Sequence, residues 1–152
     1  MSRTDLVFVC LGNICRSPMA EQVARAEAGL AGIPLSIGSA GISGEERGNP
    51  IDPRAARCLR AHGYDPGDHR AHRITRDELG ARLLVAMEAY QAERLVAMGA
   101  DAGSVRLLTD FVPGREGTDV PDPWYGGPDG FESTLEVVEA AVPALLGEQG
   151  AG

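Results

Sequence analysis

Lysine is missing from this sequence: all 14 basic side chains are arginine, set against 22 acidic ones for a net charge of −8. That balance argues against a nucleic-acid surface, which needs a basic footprint. No apolar run approaches the ~20 residues that a membrane span requires. The start of the chain also lacks a charged stretch leading into a hydrophobic one, so neither a membrane segment nor a signal peptide is expected. Cysteine is scarce, and three residues, an odd count, suit a reducing cytoplasm better than a disulfide framework. The expectation is a soluble cytoplasmic monomer, one domain over 1–152, able to bury ~68–70% of its unfolded surface without staples.

What is present begins with Leu6-Val7-Phe8-Val9, a short apolar run that reads as a strand, followed by Cys10-Leu11-Gly12-Asn13-Ile14-Cys15-Arg16-Ser17-Pro18. Ser17 as N-cap and Pro18 at the first helical position predict that a helix opens here. A strand–loop–helix junction directs backbone N–H groups and the positive end of the helix dipole at one point, which suits a phosphate. The same environment favours a thiolate. Cys10 is therefore the candidate nucleophile, and Arg16 the residue whose planar fork binds two phosphate oxygens at once. Gly12 allows close backbone approach, Asn13 tolerates a left-handed conformation, and the Ser17 hydroxyl can donate to the Cys10 sulfur. Alone, Cys10 would read as a packed small hydrophobe; the joint Cys-x5-Arg-Ser pattern is far more demanding. A nucleotide P-loop is excluded, because G-x4-G-K-[ST] and its lysine are absent.

Along the rest of the chain, Met19, Val23, Ala26 and Leu30 predict the core stripe of the first helix, ended by Gly29 and Gly32-Ile33-Pro34. Leu35–Ser39 reads as a second strand, and Asp52-Pro53 opens a helix whose Ala55, Cys58, Leu59 and His62 share a face. Cys58 is assigned to core packing and His62 to the helix end near Gly63. His69 and His72 raise a metal site, but no Cys-x2-Cys or His-x3-His pair occurs, and none is expected. Thr75 to Glu78 fits a capping box. Leu83–Met87 and Val105–Leu108 predict strands three and four, with a helix through Ala92, Leu95, Val96 and Met98 between them. Phe131, Leu135, Val138, Val142 and Leu145 predict a final helix, bent near Pro143, with a frayed tail over 147–152. Four strands separated by helices indicate an α/β fold, a doubly wound parallel sheet flanked by helices, with ligands outside the strands' carboxyl ends.

In such a fold the loop from Phe111 to Asp129 can reach Cys10. Asp122, between Pro121 and Pro123, is the candidate general acid, and Asp119 competes with it on residue type alone. The run Val7 to Glu21, with Ser39-Ala40-Gly41, Asn49 to Ala55, Asp68-His69-Arg70-Ala71 and Asp122-Pro123-Trp124-Tyr125-Gly126, resembles the low-molecular-weight protein tyrosine phosphatases over nearly the whole chain. The resemblance implies hydrolysis of phosphotyrosine on proteins through a phosphocysteine on Cys10, without cofactor or metal, with Asp122 as the acid. It further implies phosphate contacts from Leu11, Gly12, Asn13, Ile14, Cys15 and Ser17, with Trp124 and Tyr125 as a wall for the substrate ring. Ser39 and His69 then support the loop from behind. Cys15, five residues from Cys10, suggests a reversible disulfide that protects an oxidised nucleophile.

Departures from that pattern are Glu45-Glu46-Arg47, where an aromatic or histidine often stands, and Glu88 with Gln91, which lengthen a more usual aspartate and asparagine. Three rivals remain open. A protein-arginine phosphatase typically has threonine where Ile14 stands. An arsenate reductase needs a relay cysteine pair that Cys58 alone does not supply. A non-catalytic phosphoprotein-binding module would have little use for Cys10, Arg16 and Asp122 together.

Overall fold

The computed structural model describes residues 3–151, with Tyr125, Pro128, Gly150 and Ala151 through their backbone only. The elements run β1 (Leu6–Cys10), α1 (Arg16–Ala31), β2 (Ile37–Gly41), α2 (Pro53–Ala61), α3 (Arg76–Leu79), β3 (Leu83–Ala86), α4 (Ala89–Ala97), β4 (Val105–Leu107) and α5 (Pro128–Ala151). The strands form one sheet in the order β2-β1-β3-β4, with every neighbouring pair parallel. The chain leaves β1 for one side and returns to the other, so the order reverses at β1, where open α/β sheets take their ligands. Cys10 is the last residue of that strand.

Strand β1 is buried on both faces, as a central parallel strand must be. Its alternation divides the core in two. Leu6, Phe8 and Cys10 face the larger core with α1, α2 and α5, while Val7 and Val9 face a smaller one with Leu84, Ala86 and Leu95. All five residues expected to line the last helix are buried. Among the described residues, no helix is long and apolar enough to cross a membrane.

Three local expectations are corrected. Helix α1 begins at Arg16, with Cys15 and not Ser17 at the N-cap position, because the Ser17 hydroxyl is engaged by Cys10 and Asn13. Its buried face runs through Met19, Ala20, Val23, Ala24 and Ala28, leaving Leu30 85% exposed and Ala26 half-buried; small alanines let the helix lie close on its neighbours. Strand β2 lies two residues later than predicted, since Asp5 and Ser36 exchange backbone-to-side-chain hydrogen bonds at 2.9 Å and set Leu6 opposite Ile37. Helix α5 continues past Pro143 to Ala151.

Helix α2 begins where Asp52-Pro53 predicted. Asp52 Oδ1 accepts from the Arg54 backbone N–H at 2.8 Å, and Oδ2 accepts from Arg54 Nη2 at 3.0 Å. Burial raises the Asp52 pKa, but the Arg54 hydrogen bonds and charge outweigh it and hold the carboxyl below its ordinary value. A carboxyl depressed on folding stabilises the fold above its unfolded pKa of ~3.9, and the contribution is lost as pH falls through the depressed value. Asp52→Ala is expected to cost about 1–2 kcal/mol near neutral pH. Urea midpoints should show the gap to wild type narrowing below about pH 4.

Candidate active site

Between β1 and α1 the loop curls so that Cys10, Gly12, Ile14, Cys15 and Arg16 line one cavity of about 180 Å³, which Glu45, Glu46, Asp122 and Trp124 complete. Leu11 is part of the same lining. Cysteine and arginine thus share one concave site. Helix α1 starts with no side-chain cap, which leaves first-turn amides without a side-chain acceptor, the condition under which a helix end takes an anion. Gly41 lets β2 press against this loop: a Cβ there would lie 2.9 Å from the Leu11 carbonyl and 3.0 Å from that of Ser43.

Asn13 faces away from the cavity. It is fully buried with φ 60°, a left-handed conformation that asparagine adopts more readily than most residues. Its Oδ1 accepts from the His72 backbone N–H at 3.1 Å, and a backbone N–H can only donate, so the amide orientation is determined. The two Nδ2 hydrogens therefore go to Ser17 Oγ at 2.9 Å and Ser39 Oγ at 3.0 Å. Ser39 passes its own hydrogen to Glu21 at 2.6 Å, and Glu21 is held by Arg25 at 2.8 Å. Ser17 then has one hydrogen left, with Cys10 Sγ at 3.0 Å and the Ala40 carbonyl at 3.5 Å. The shorter contact is to the sulfur. His69 Nε2 lies 2.6 Å from the Asn13 carbonyl, which only accepts, so the ring donates from Nε2.

Arg16 is 2% exposed, and a buried guanidinium must be paired. Its Nη1 donates to the Val120 carbonyl at 2.7 Å and lies 3.0 Å from Glu88, while Nη2 is 3.7 Å from Asp122. Asp122 borders the cavity, whereas Asp119 accepts from the Ala89 N–H at 2.8 Å at the start of α4. The geometry separates the two aspartates. Trp124, 43% exposed, stands on the rim beneath the Arg54 guanidinium, 5.1 Å from its ring centroid. The Tyr125 side chain lies outside the described residues. Glu45 and Glu46 do border the cavity, and Asn49 donates to Glu46 at 2.6 Å. Cys15 is buried in the loop, and burial, followed by the nearby Asp52 charge, pushes its thiol far above the ordinary value.

Two parts of this arrangement escaped the sequence reading. Glu88 appeared there only as a lengthened variant, yet it is the nearest carboxylate to Arg16; its partner is 72 positions away, and no local signal links them. Glu21, four residues after Ser17 and so on the same helix face, did carry a signal: a carboxylate within a run of buried positions.

Open parallel α/β domains that hold an oxyanion in the turn after the first strand form a recognisable class, and this chain has their architecture. Residues 5–150 match the family model for low molecular weight phosphotyrosine protein phosphatases. The chain is 44% identical over 145 residues to low molecular weight protein-tyrosine phosphatase A of Mycobacterium tuberculosis, covering 92% of this chain and 88% of that one. It is similar in structure to a protein tyrosine phosphatase from Entamoeba histolytica with Hepes in its active site, at TM-score 0.89, 28% identity and coverage of 95% and 96%. The YwlE arginine phosphatase, as a mutant with a phosphorylated active-site serine, matches at TM-score 0.84, 28% identity and 95% coverage of both chains. The chain belongs to the low-molecular-weight phosphotyrosine protein phosphatase family.

Replacing Asn13 tests how much the buried amide holds the loop. Asn13→Ala puts alanine at positive φ and unpairs the His72 N–H, and should cost about 2–4 kcal/mol. A change below ~0.5 kcal/mol in urea unfolding would show that the loop is held some other way.

Proposed function

We propose that the protein is a protein-tyrosine-phosphatase that hydrolyses phosphotyrosine on cytoplasmic proteins, acting as a monomer. The observation that carries the reading is the convergence of Cys10, Arg16 and Asp122 on one cavity. Cys10 thiolate attacks phosphorus in line while Arg16 and the loop amides bind the equatorial oxygens. The P–O bond to tyrosine breaks, and Asp122 gives its proton to the departing phenolate oxygen. In the second step Asp122 takes a proton from water, the resulting nucleophile attacks the phosphocysteine, and inorganic phosphate and the thiolate are released. Ser17, whose remaining hydrogen has the Cys10 sulfur as its shorter acceptor, assists that departure. Arg16 and the amides supply the positive charge, so the reading calls for no metal or cofactor.

Leu11, Ile14 and Trp124 give the cavity an apolar wall suited to an aryl group, which favours phosphotyrosine over phosphoarginine. The similarity to YwlE supports the arginine phosphatase as the second reading. In the same proposal Cys15 is a resolving thiol. After peroxide converts Cys10 to a sulfenic acid, attack by Cys15 sulfur forms the disulfide and releases water.

Phosphate release from phosphotyrosine and phosphoarginine peptides separates these readings. Wild type should turn over phosphotyrosine, Cys10→Ser should abolish it, and Asp122→Asn should slow it by about 10²–10⁴-fold. Faster release from phosphoarginine would promote the second reading, and binding of both without turnover would leave a phosphoprotein-binding module. Glu45 and Glu46 at the rim should also favour basic residues beside the phosphosite. Replacing both by glutamine is expected to shrink the preference for basic over acidic flanks by about fivefold, the equivalent of ~1 kcal/mol between screened charges. The preference should weaken as salt is added.

A further inference from the structure

Away from the cavity, α2 and α5 bring together three side chains of metal-ligating type. Cys58 lies on α2 and His62, four positions on, caps that helix's C-terminus, and Glu132 reaches both from the start of α5. His62 Nε2 is 2.7 Å from Glu132 Oε2, and Cys58 Sγ is 3.6 Å from Glu132 Oε1. All three donor atoms lie within 4.8 Å of one another. We propose that Cys58, His62 and Glu132 form a binding site for zinc(II), or a divalent ion of similar softness, that ties α2 to α5.

The donor set selects the ion. Thiolate with imidazole suits zinc or cobalt and not magnesium or calcium, which take oxygen ligands. Bond lengths of ~2.3 Å to sulfur and ~2.0–2.2 Å to nitrogen and oxygen place tetrahedral ligands about 3.4–3.6 Å apart. The sulfur already lies that far from Oε1, while the nitrogen faces the carboxylate's other oxygen, Oε2, so the carboxylate turns to offer the ion one oxygen or binds it through both. The nitrogen-to-oxygen distance must open by roughly 0.7 Å, the difference between a hydrogen bond and a tetrahedral edge, and both side chains are solvent-facing, at 40% and 52% exposed. Cys58 closes the inner side of the site at 7% exposure, so the ion enters from solvent and keeps its fourth position for water.

Charge allows it. The Cys58 thiol proton leaves to solvent on binding, and the thiolate and Glu132 carboxylate together balance the two positive charges. Arg54, on the same side of α2, is already paired with Asp52 at 3.0 Å. The sequence reading placed Cys58 in the core and His62 at a helix end, and the positions agree with both. The third ligand lies 74 residues beyond Cys58, where no spacing rule reaches.

Cobalt(II) titration of the full chain carrying Cys10→Ser, which removes the cavity thiolate as a competitor, tests the site. The expected result is one equivalent bound with a thiolate-to-cobalt charge-transfer band, lost when Cys58→Ser is added and weakened about tenfold or more by His62→Ala. His62 is half exposed, so that variant keeps the test valid should Cys58→Ser unfold the chain, which circular dichroism would report. Excess zinc(II) should raise the Tm of wild type and not of Cys58→Ser. No thiolate band, or a band that survives both Cys58→Ser and His62→Ala, would overturn the proposal.

Discussion

The amide of Asn13 is the contact on which the loop's shape depends. Its oxygen is claimed by a backbone N–H that cannot reverse its role, so the two hydrogens of its nitrogen are committed to two serines. One serine is anchored to Glu21 and the other is left with a hydrogen beside Cys10. A polar network in which every member has a partner holds its members in one arrangement. It does so here at a left-handed residue, where a looser environment would relax the backbone.

On the other side of the loop the constraint is electrostatic. An acidic chain without lysine concentrates positive potential at a buried arginine and surrounds it with acceptors: the Val120 carbonyl, Glu88 and Asp122. These partners come from two separate segments after β3, so Arg16 also joins the loop to the segment that carries Asp122 and Trp124. The outer carboxylates Glu45 and Glu46 then work against any anion except one seated deep enough to meet the guanidinium and the amides. An acidic rim around a basic floor sorts ligands by depth.

Much of this was legible in the sequence because the signals were local. Asp52-Pro53 and the Thr75–Glu78 box mark helix starts by self-contained hydrogen bonding, and both lie where expected. The order of strands and helices followed from periodicity, and Cys10, Arg16 and Asp122 do meet. What could not be read was settled across the chain. Ser17 has the features of an N-cap, yet the curl of its loop gives its hydroxyl to Cys10 and Asn13, and Asn13 is itself fixed by His72 far along the chain; β2 slips by two residues because Asp5 and Ser36 pair across 31 positions. Residue type alone does not separate Asp119 from Asp122; the flanking prolines and the family resemblance favoured Asp122, and packing sends Asp119 to α4 and Asp122 to the cavity.

The sharing of the larger core between the earliest strand and the latest helix bears on how the molecule is made. A ribosome releases β1, the nucleophile loop and α1 early, but Phe131, Leu135 and Leu145, which seal that core against Phe8 and Met19, emerge only after β4. Parallel pairing already defers order, because strands cannot join until their crossovers exist. The cysteine-bearing turn therefore stays unbacked until α5 has been made. Closure of the core and arming of the site are nearly the same event.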